Sequence, residues 1–382
     1  MAMAKTSSQE TLVEVLQISL HSVVTLVSKH FDTGETSTQR GDAMQLLARK
    51  LLKSPLLASL EPGIAEWVRT DIRLRTSLRL LPRLLSKNWA VRRAAERELS
   101  DTLAAEFALP PDPTVRISEL TVPGTTLRIR RYRPAEDQPR YPTQLWLHGG
   151  GFTSGTPLEL VNDSVLTHRV TATGLQVLAL YYPLAPEHPY PAAKDAALIA
   201  ARAIREHSAE LDVDPDHFGA GGNSAGAAII ASAALAAGAA GERLFDHLHL
   251  EVPPGTLRFD LSEGITDPIA GPVGDQAQAL IAAYLPDGAD DGFASPADAV
   301  EVTGMPPTLI IGAEFDPLLP RAERLAARLE QEGVPVICEI LSGHLHASAS
   351  VTARSDRAQD WQRVTNEFLQ SAYAASPTGS LS

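Results

Sequence analysis

Three short patches of this 382-residue chain hold residue types that could do chemistry together. Gly222-Asn223-Ser224-Ala225-Gly226 is a G-x-S-x-G match between the strand-like run Phe218–Gly221 and an alanine-rich helical run. A serine on a sharp strand-to-helix turn projects its hydroxyl, and small flanking residues keep that turn uncrowded. Ser224 is therefore a candidate nucleophile. His148-Gly149-Gly150-Gly151-Phe152 follows the run Thr143–Leu147. Attack on a carbonyl builds negative charge on its oxygen, so backbone N–H groups must be aimed there in advance, and glycines let a backbone come that close. The third patch offers an acid and a base. Asp316 follows Pro307–Ile311, with Glu314 as its local competitor, and His344 and His346 follow Val334–Leu341. A histidine would take the serine proton and an aspartate would orient the ring and stabilise its charged form. Position after the last strand marks one of the two histidines without choosing between them.

A nucleotide reading of the turn needs Ser224 to replace the last glycine of G-x-G-x-x-G, counted from Gly219 and Gly221, and no Lys-Ser/Thr follows as a phosphate loop requires. That reading is set aside.

These patches need a frame. Residues 1 to 109 read as helical, with no strand signal. Ser7 and Glu10 have capping-box spacing ahead of a helix to His30, and a second helix covers Gln39–Leu52. Pro62 starts a third, Pro82 interrupts it, and a fourth runs Ser86–Phe107. Pro110, Pro111 and Pro113 mark a boundary. Beyond it, Val115–Leu120 and Leu127–Tyr132 alternate as strands. Further strands are expected at Thr143–Leu147, Gln176–Tyr181, Phe218–Gly221, His247–Val252, Pro307–Ile311 and Val334–Leu341. Helices are expected at Leu158–Thr173, Pro191–Glu206, Ala225–Ala240, Asp275–Tyr284, Arg321–Glu332 and Ser355–Tyr373. Alternating β and α segments imply a mostly parallel sheet covered on both faces, with ligands beyond the carboxyl ends of its strands. Residues 376–382 read as a disordered tail.

The net charge of −13 argues against nucleic acid as a partner, since phosphate contacts need clustered cations. The arginines between Arg69 and Arg97 are balanced by Glu66, Asp71, Glu96 and Glu98 and read as a solvated helix surface, with Trp67 and Trp89 as packing anchors. The single cysteine, Cys338, allows no internal disulfide and reads as a small buried hydrophobe. With no signal-type segment and no membrane span at the N-terminus, a cytoplasmic protein is expected.

The stretch from Val115 to Phe368 resembles the hormone-sensitive-lipase-like family of α/β-hydrolase esterases. Besides HGGGF and GNSAG, the run Tyr182-Pro183-Leu184-Ala185-Pro186-Glu187-His188-Pro189-Tyr190-Pro191-Ala192-Ala193 is similar to the family's YRLAPExPFPAA signature, and Ala294-Ser295-Pro296 and Met305-Pro306-Pro307 resemble its ASP and LPP landmarks. The resemblance implies an α/β-hydrolase fold from 110 to 375. It also implies a helical cap drawn from the N-terminal region, residues 1–109, and an insertion at about 253–284, whose first part, Pro253 to Gly274, is Gly/Pro-rich. It implies hydrolysis of short- to medium-chain acyl esters through an acyl-enzyme, with no cofactor and no metal, on small-molecule esters, by a chain that could form a homodimer. Residue by residue, it makes Ser224, Asp316 and His346 the catalytic set, because Gly343 and His346 match the family's glycine-to-histidine spacing. Leu319 and Pro320 stand where the family has Arg and a second Asp, and Ala347 and Ser348 replace its Gly-Phe. Gly150, Gly151 and Ala225 would form the oxyanion hole, with Phe152 and Asn223 as substrate contacts. The rival readings are an acyltransferase and a non-catalytic ligand-binding receptor on the same fold.

Overall fold

The computed structural model describes Leu52 and residues 55–258, 272–287 and 289–374. The helix expected to end at His30, the tail at 376–382, part of the insertion and, but for Leu52, the helix over Gln39–Leu52 lie outside the described residues.

The chain enters through helices α1 (Pro62–Arg75), the short α2 (Leu81–Leu84) and α3 (Trp89–Phe107). Pro62 opens α1, where its missing N–H would have had no partner. The fourth expected helix begins at Trp89 rather than Ser86, because the Asn88 side chain accepts the N–H groups of Ala90 and Val91 and so caps it.

Strands β1 (Arg116–Thr121), β2 (Arg128–Arg133) and β3 (Tyr141–Leu147) follow, then α4 (Leu160–Thr173), β4 (Gln176–Leu180), α5 (Ala192–Glu206), β5 (Val213–Asn223), α6 (Ala225–Ala239), β6 (Leu248–Glu251), α7 (Pro272–Tyr284), β7 (Thr308–Ala313), α8 (Leu319–Gln331), β8 (Val336–Leu341) and α9 (Asp356–Ala374). They form an eight-stranded sheet ordered β1-β2-β4-β3-β5-β6-β7-β8. The β1–β2 and β2–β4 pairs are antiparallel and the remainder are parallel. β5 starts five residues earlier than its apolar run suggests, because Val213 already pairs with Tyr141.

Helices cover both faces, as a parallel sheet with apolar strands requires. On one side α5, α6 and α8 pack a core around Phe218, Ile229, Ile230 and Leu325. Apolar almost all round, α6 is buried along nearly its whole length, as befits a central helix. On the other side α4 and α9 pack Val170, Trp361 and Leu369 against Trp146 and Val177. A separate cluster joins α1 and α3, through Ile64, Val68, Leu99 and Leu103, to Leu345 and Phe315. Those two residues adjoin His346 and Asp316, so the entry helices brace the loops beyond β7 and β8.

Two expectations need correction. Cys338 is half-buried on the edge strand β8, where one side has no covering strand, and burial pushes its thiol up to about 11. The arginine-rich segment is not uniformly solvated: Arg75 is buried, bound to Asp71 at 2.9 Å and near Glu96. No helix among the described residues is long and apolar enough to cross a membrane.

Candidate active site

Ser224 lies between the last residue of β5 and the first of α6, with φ 51° and ψ −118°. An L-residue pays strain of order 1–3 kcal/mol for such a conformation, so its surroundings must impose it. They do. The Ser224 N–H donates to the Glu251 carbonyl at 2.8 Å, and the Ser224 carbonyl accepts from Ala228. Gly226 is required: a Cβ there would sit 2.1 Å from the Leu147 carbonyl oxygen.

His346 is on the loop after β8. Its Nε2 is 2.8 Å from Ser224 Oγ, and its Nδ1 is 2.6 Å from Asp316 Oδ2. The carboxylate fixes the tautomer: Nδ1–H donates to Asp316, leaving Nε2 to accept from Ser224. The other Asp316 oxygen accepts the Leu318 N–H at 2.8 Å, which holds the nearly inaccessible carboxylate in place. Burial disfavours the charged imidazole, but the charge and hydrogen bond of Asp316 outweigh it, so the His346 pKa lies above its ordinary value.

The competing residues have other partners. His344 is buried, edge-on to Trp361, with Nε2 at 3.0 Å from the Arg357 carbonyl and Nδ1 at 2.8 Å from Ser348 Oγ. Burial lowers its pKa. Glu314 accepts from the Ser342 hydroxyl and the Gly343 N–H, and so ties down the base loop instead of orienting a ring.

The glycine run after β3 passes beside the serine. Gly150 has φ 126°, and a Cβ on it would lie 2.1 Å from the Ser154 carbonyl oxygen, so no other residue fits. Among the described residues the N–H groups of Gly150, Gly151 and Ala225 have no protein acceptor and remain available. His148, whose pKa burial pushes down to about 4, is neutral and directs Nδ1–H to the Gly149 carbonyl. Tyr182 stacks on that ring and donates to the His148 carbonyl at 2.7 Å.

Gly150, Gly151, Asn223, Ser224 and His346 line one cavity of about 300 Å³. Opposite them, α1 and α3 contribute Trp67, Asp71, Arg75, Glu96, Leu99 and Leu103. This wall is charged at one end and apolar at the other. Phe152 is not brought to the cavity. Its φ of 65° turns the side chain into the interior, where it stacks on Tyr284 at 4.1 Å between ring centroids.

Arg93 was not singled out from the sequence. It reaches from α3 to the Thr153 carbonyl at 2.7 Å, the Ala185 carbonyl at 2.8 Å and both Glu187 oxygens, joining α3 to the loops around the glycine run. Its partners lie 60 to 94 residues away, and no local pattern announces them. Among the described residues no group of three or more His, Cys, Asp or Glu side chains is arranged to hold a metal ion.

Such an arrangement can move a proton from a serine to an imidazole while a carboxylate steadies the resulting charge. Residues 144–350 match the model of a family described as having the α/β-hydrolase fold. A carboxylesterase of Mycobacterium tuberculosis is 34% identical over 254 residues, covering 63% of this chain and 78% of the relative. An ethyl acetate hydrolase of Pseudomonas putida is 29% identical, covering 82% of this chain and 99% of the relative. Among solved structures, a mutant α/β-hydrolase enzyme from the metagenome of Lake Arreo, Spain, superposes with a TM-score of 0.71 at 28% identity, covering 83% of this chain and all of that one. The chain belongs to the hormone-sensitive-lipase-like α/β-hydrolases. Within that class it is a carboxylic ester hydrolase.

Proposed function

We propose that this ester hydrolase works through Ser224, His346 and Asp316 on short- to medium-chain acyl esters, by way of an acyl-enzyme. The observation that carries the proposal is the unbroken hydrogen-bond relay from Ser224 Oγ through both nitrogens of His346 to Asp316. His346 Nε2 takes the hydroxyl proton as Oγ attacks the ester carbonyl, and Asp316 stabilises the imidazolium so formed. The N–H groups of Gly150, Gly151 and Ala225 hold the oxyanion. The C–O bond to the alcohol breaks as His346 returns the proton to the leaving oxygen. Water then enters, loses a proton to His346 and releases the acid, restoring Ser224.

The acyl range is supported by the cavity of about 300 Å³ beside Ser224. Helices α1 and α3 serve as part of a cap, together with the insertion that ends in α7. The lone cysteine supports a reducing, cytoplasmic setting. A homodimer is the oligomeric form to look for by light scattering.

The test is a chain-length series of p-nitrophenyl esters on the parent and Ser224→Ala. The substitution is expected to lower turnover by about 10⁴- to 10⁶-fold. Activity that survives it overturns the assignment, and a rate that keeps rising toward long acyl chains overturns the substrate range.

A further inference from the structure

Beneath the serine turn lies a buried ionic cluster that the proton relay does not use. Glu251 ends β6 and pairs with Asn223 of β5. Its carbonyl receives the Ser224 N–H at 2.8 Å, and the residue lines the same cavity as Ser224. The carboxylate binds Arg169 Nη2 at 2.9 Å and His249 Nε2 at 3.2 Å. Arg169, wholly buried on α4, uses Nη1 to bind Gln144 Oε1 at 3.2 Å and lays its guanidinium 4.4 Å from the Trp146 ring centre. Gln144 and Trp146 are on β3, the strand that runs into the glycine loop.

One guanidinium thus links the end of β6, whose carbonyl receives the Ser224 N–H, to the middle of β3, the strand that leads into the glycine loop. Removing charges from water is costly, and a well-packed apolar cluster would serve a core at least as well. An ion pair here has a different merit. It is directional, and it acts on the residue whose carbonyl holds Ser224 in its strained conformation. We propose that Arg169 and Glu251 are positioning residues, which fix the Ser224 turn relative to the glycine loop through the Glu251 carbonyl and Gln144.

Around the pair, burial keeps His249 neutral, and it donates Nε2–H to the carboxylate. Burial pushes the Glu251 carboxyl up, but the hydrogen bond from His249 and the charge and hydrogen bond of Arg169 hold it below the usual carboxylate range. The cluster therefore stays in one charge state while the relay above it gains and loses protons.

The inference rests on Ser224 being the nucleophile. Ser224→Ala, run alongside, separates the two: if it keeps activity, the nucleophile assignment fails whatever the cluster does. The test compares Glu251→Gln, Arg169→Lys and Gln144→Leu for kcat, KM and the rate at which a p-nitrophenyl alkylphosphonate modifies Ser224, below each variant's melting temperature. Small displacements of reacting groups cost up to about 10²-fold, so Glu251→Gln and Arg169→Lys should lose about 10- to 100-fold in kcat and in phosphonylation at near-constant KM. Gln144→Leu keeps the ion pair and removes the single hydrogen bond from the guanidinium to β3. It should lose about 3- to 10-fold in both rates, and it decides the matter if the charged variants do not fold. A melting temperature that falls while both rates stay within about twofold of the parent overturns the proposal, because a merely structural pair would behave that way.

Discussion

His346 Nε2 lies 2.8 Å from Ser224 Oγ, while His344, two residues earlier, has its ring against Trp361. A shift of two positions along the loop separates the proposed base from a packing residue. His346→Gln should therefore lower kcat by about 10⁴-fold or more with the fold intact. His344→Gln should lower the melting temperature and keep most of kcat. Steady-state kinetics beside thermal melts distinguish the pair, and the reverse pattern would exchange their roles.

In the proposed relay, Asp316 sets the pH range of the reaction. The base works only when neutral, and Asp316 holds its pKa above the ordinary value of about 6.5. The acidic limb of kcat/KM should therefore fall away above that value. Asp316→Asn should shift the limb to lower pH and lower the plateau by about 10⁴-fold. Stability runs the other way. A histidine pKa raised by folding stabilises fully below its unfolded value, and that contribution fades as pH rises through the folded one. The melting-temperature gap between the parent and His346→Gln should be wider at pH 5.5 than at pH 9. An acidic limb unmoved by Asp316→Asn would remove the aspartate from the relay.

Gly226→Ala tests the serine turn. The added methyl would meet backbone carbonyl oxygens of Leu147 and His148 at 2.1 and 2.5 Å, which cannot move aside as a flexible side chain could. Overpacking of this kind costs about 1–3 kcal/mol or more, a fall of roughly 1–4 °C or more in a chain of this size. Activity should fall by at least about 10²-fold as the glycine loop is pushed away. Gly174→Ala is the comparison. Gly174 also has a positive φ of 72°, but no atom lies near the added carbon, so melting alone should respond.

Arg93→Ala should loosen the link between α3 and the loops at Thr153 and Ala185. Hydrogen bonds to a charged group contribute about 1.5–3 kcal/mol when partly buried, so the melting temperature should drop by several degrees. Because α3 walls the cavity while the relay sits on other elements, KM should rise more than kcat falls. Chain-length profiles of parent and variant would reveal it, and an unchanged profile would make Arg93 a surface contact only.

Much of this molecule was legible locally. The G-x-S-x-G turn needs only a strand before it and a helix after it, and both announce themselves by apolar periodicity. The place of Asp316 beyond β7, beside His346, was legible by position, since ligand sites gather beyond the carboxyl ends of parallel strands. The two histidines were harder, for both are polar residues in one short loop. What separates them, Trp361 and Ser348 against Asp316, comes from chain that is near only after folding. Phe152 shows the opposite hazard. It stands next to the glycine run in sequence, but a positive φ sends its ring to Tyr284. Arg169, Glu251 and Arg93 left no local sign, because a lone charged residue looks solvated until its distant partners are known.

The cluster that joins Ile64 and Leu99 to Leu345 and Phe315 has one more consequence. The helices that wall the cavity are also the floor on which the loops of His346 and Asp316 rest. Whatever steadies those helices steadies the proton relay, and whatever melts them disarms it. A ligand that packs against those helices should therefore also steady the loops that carry His346 and Asp316, by the reciprocity of linked equilibria.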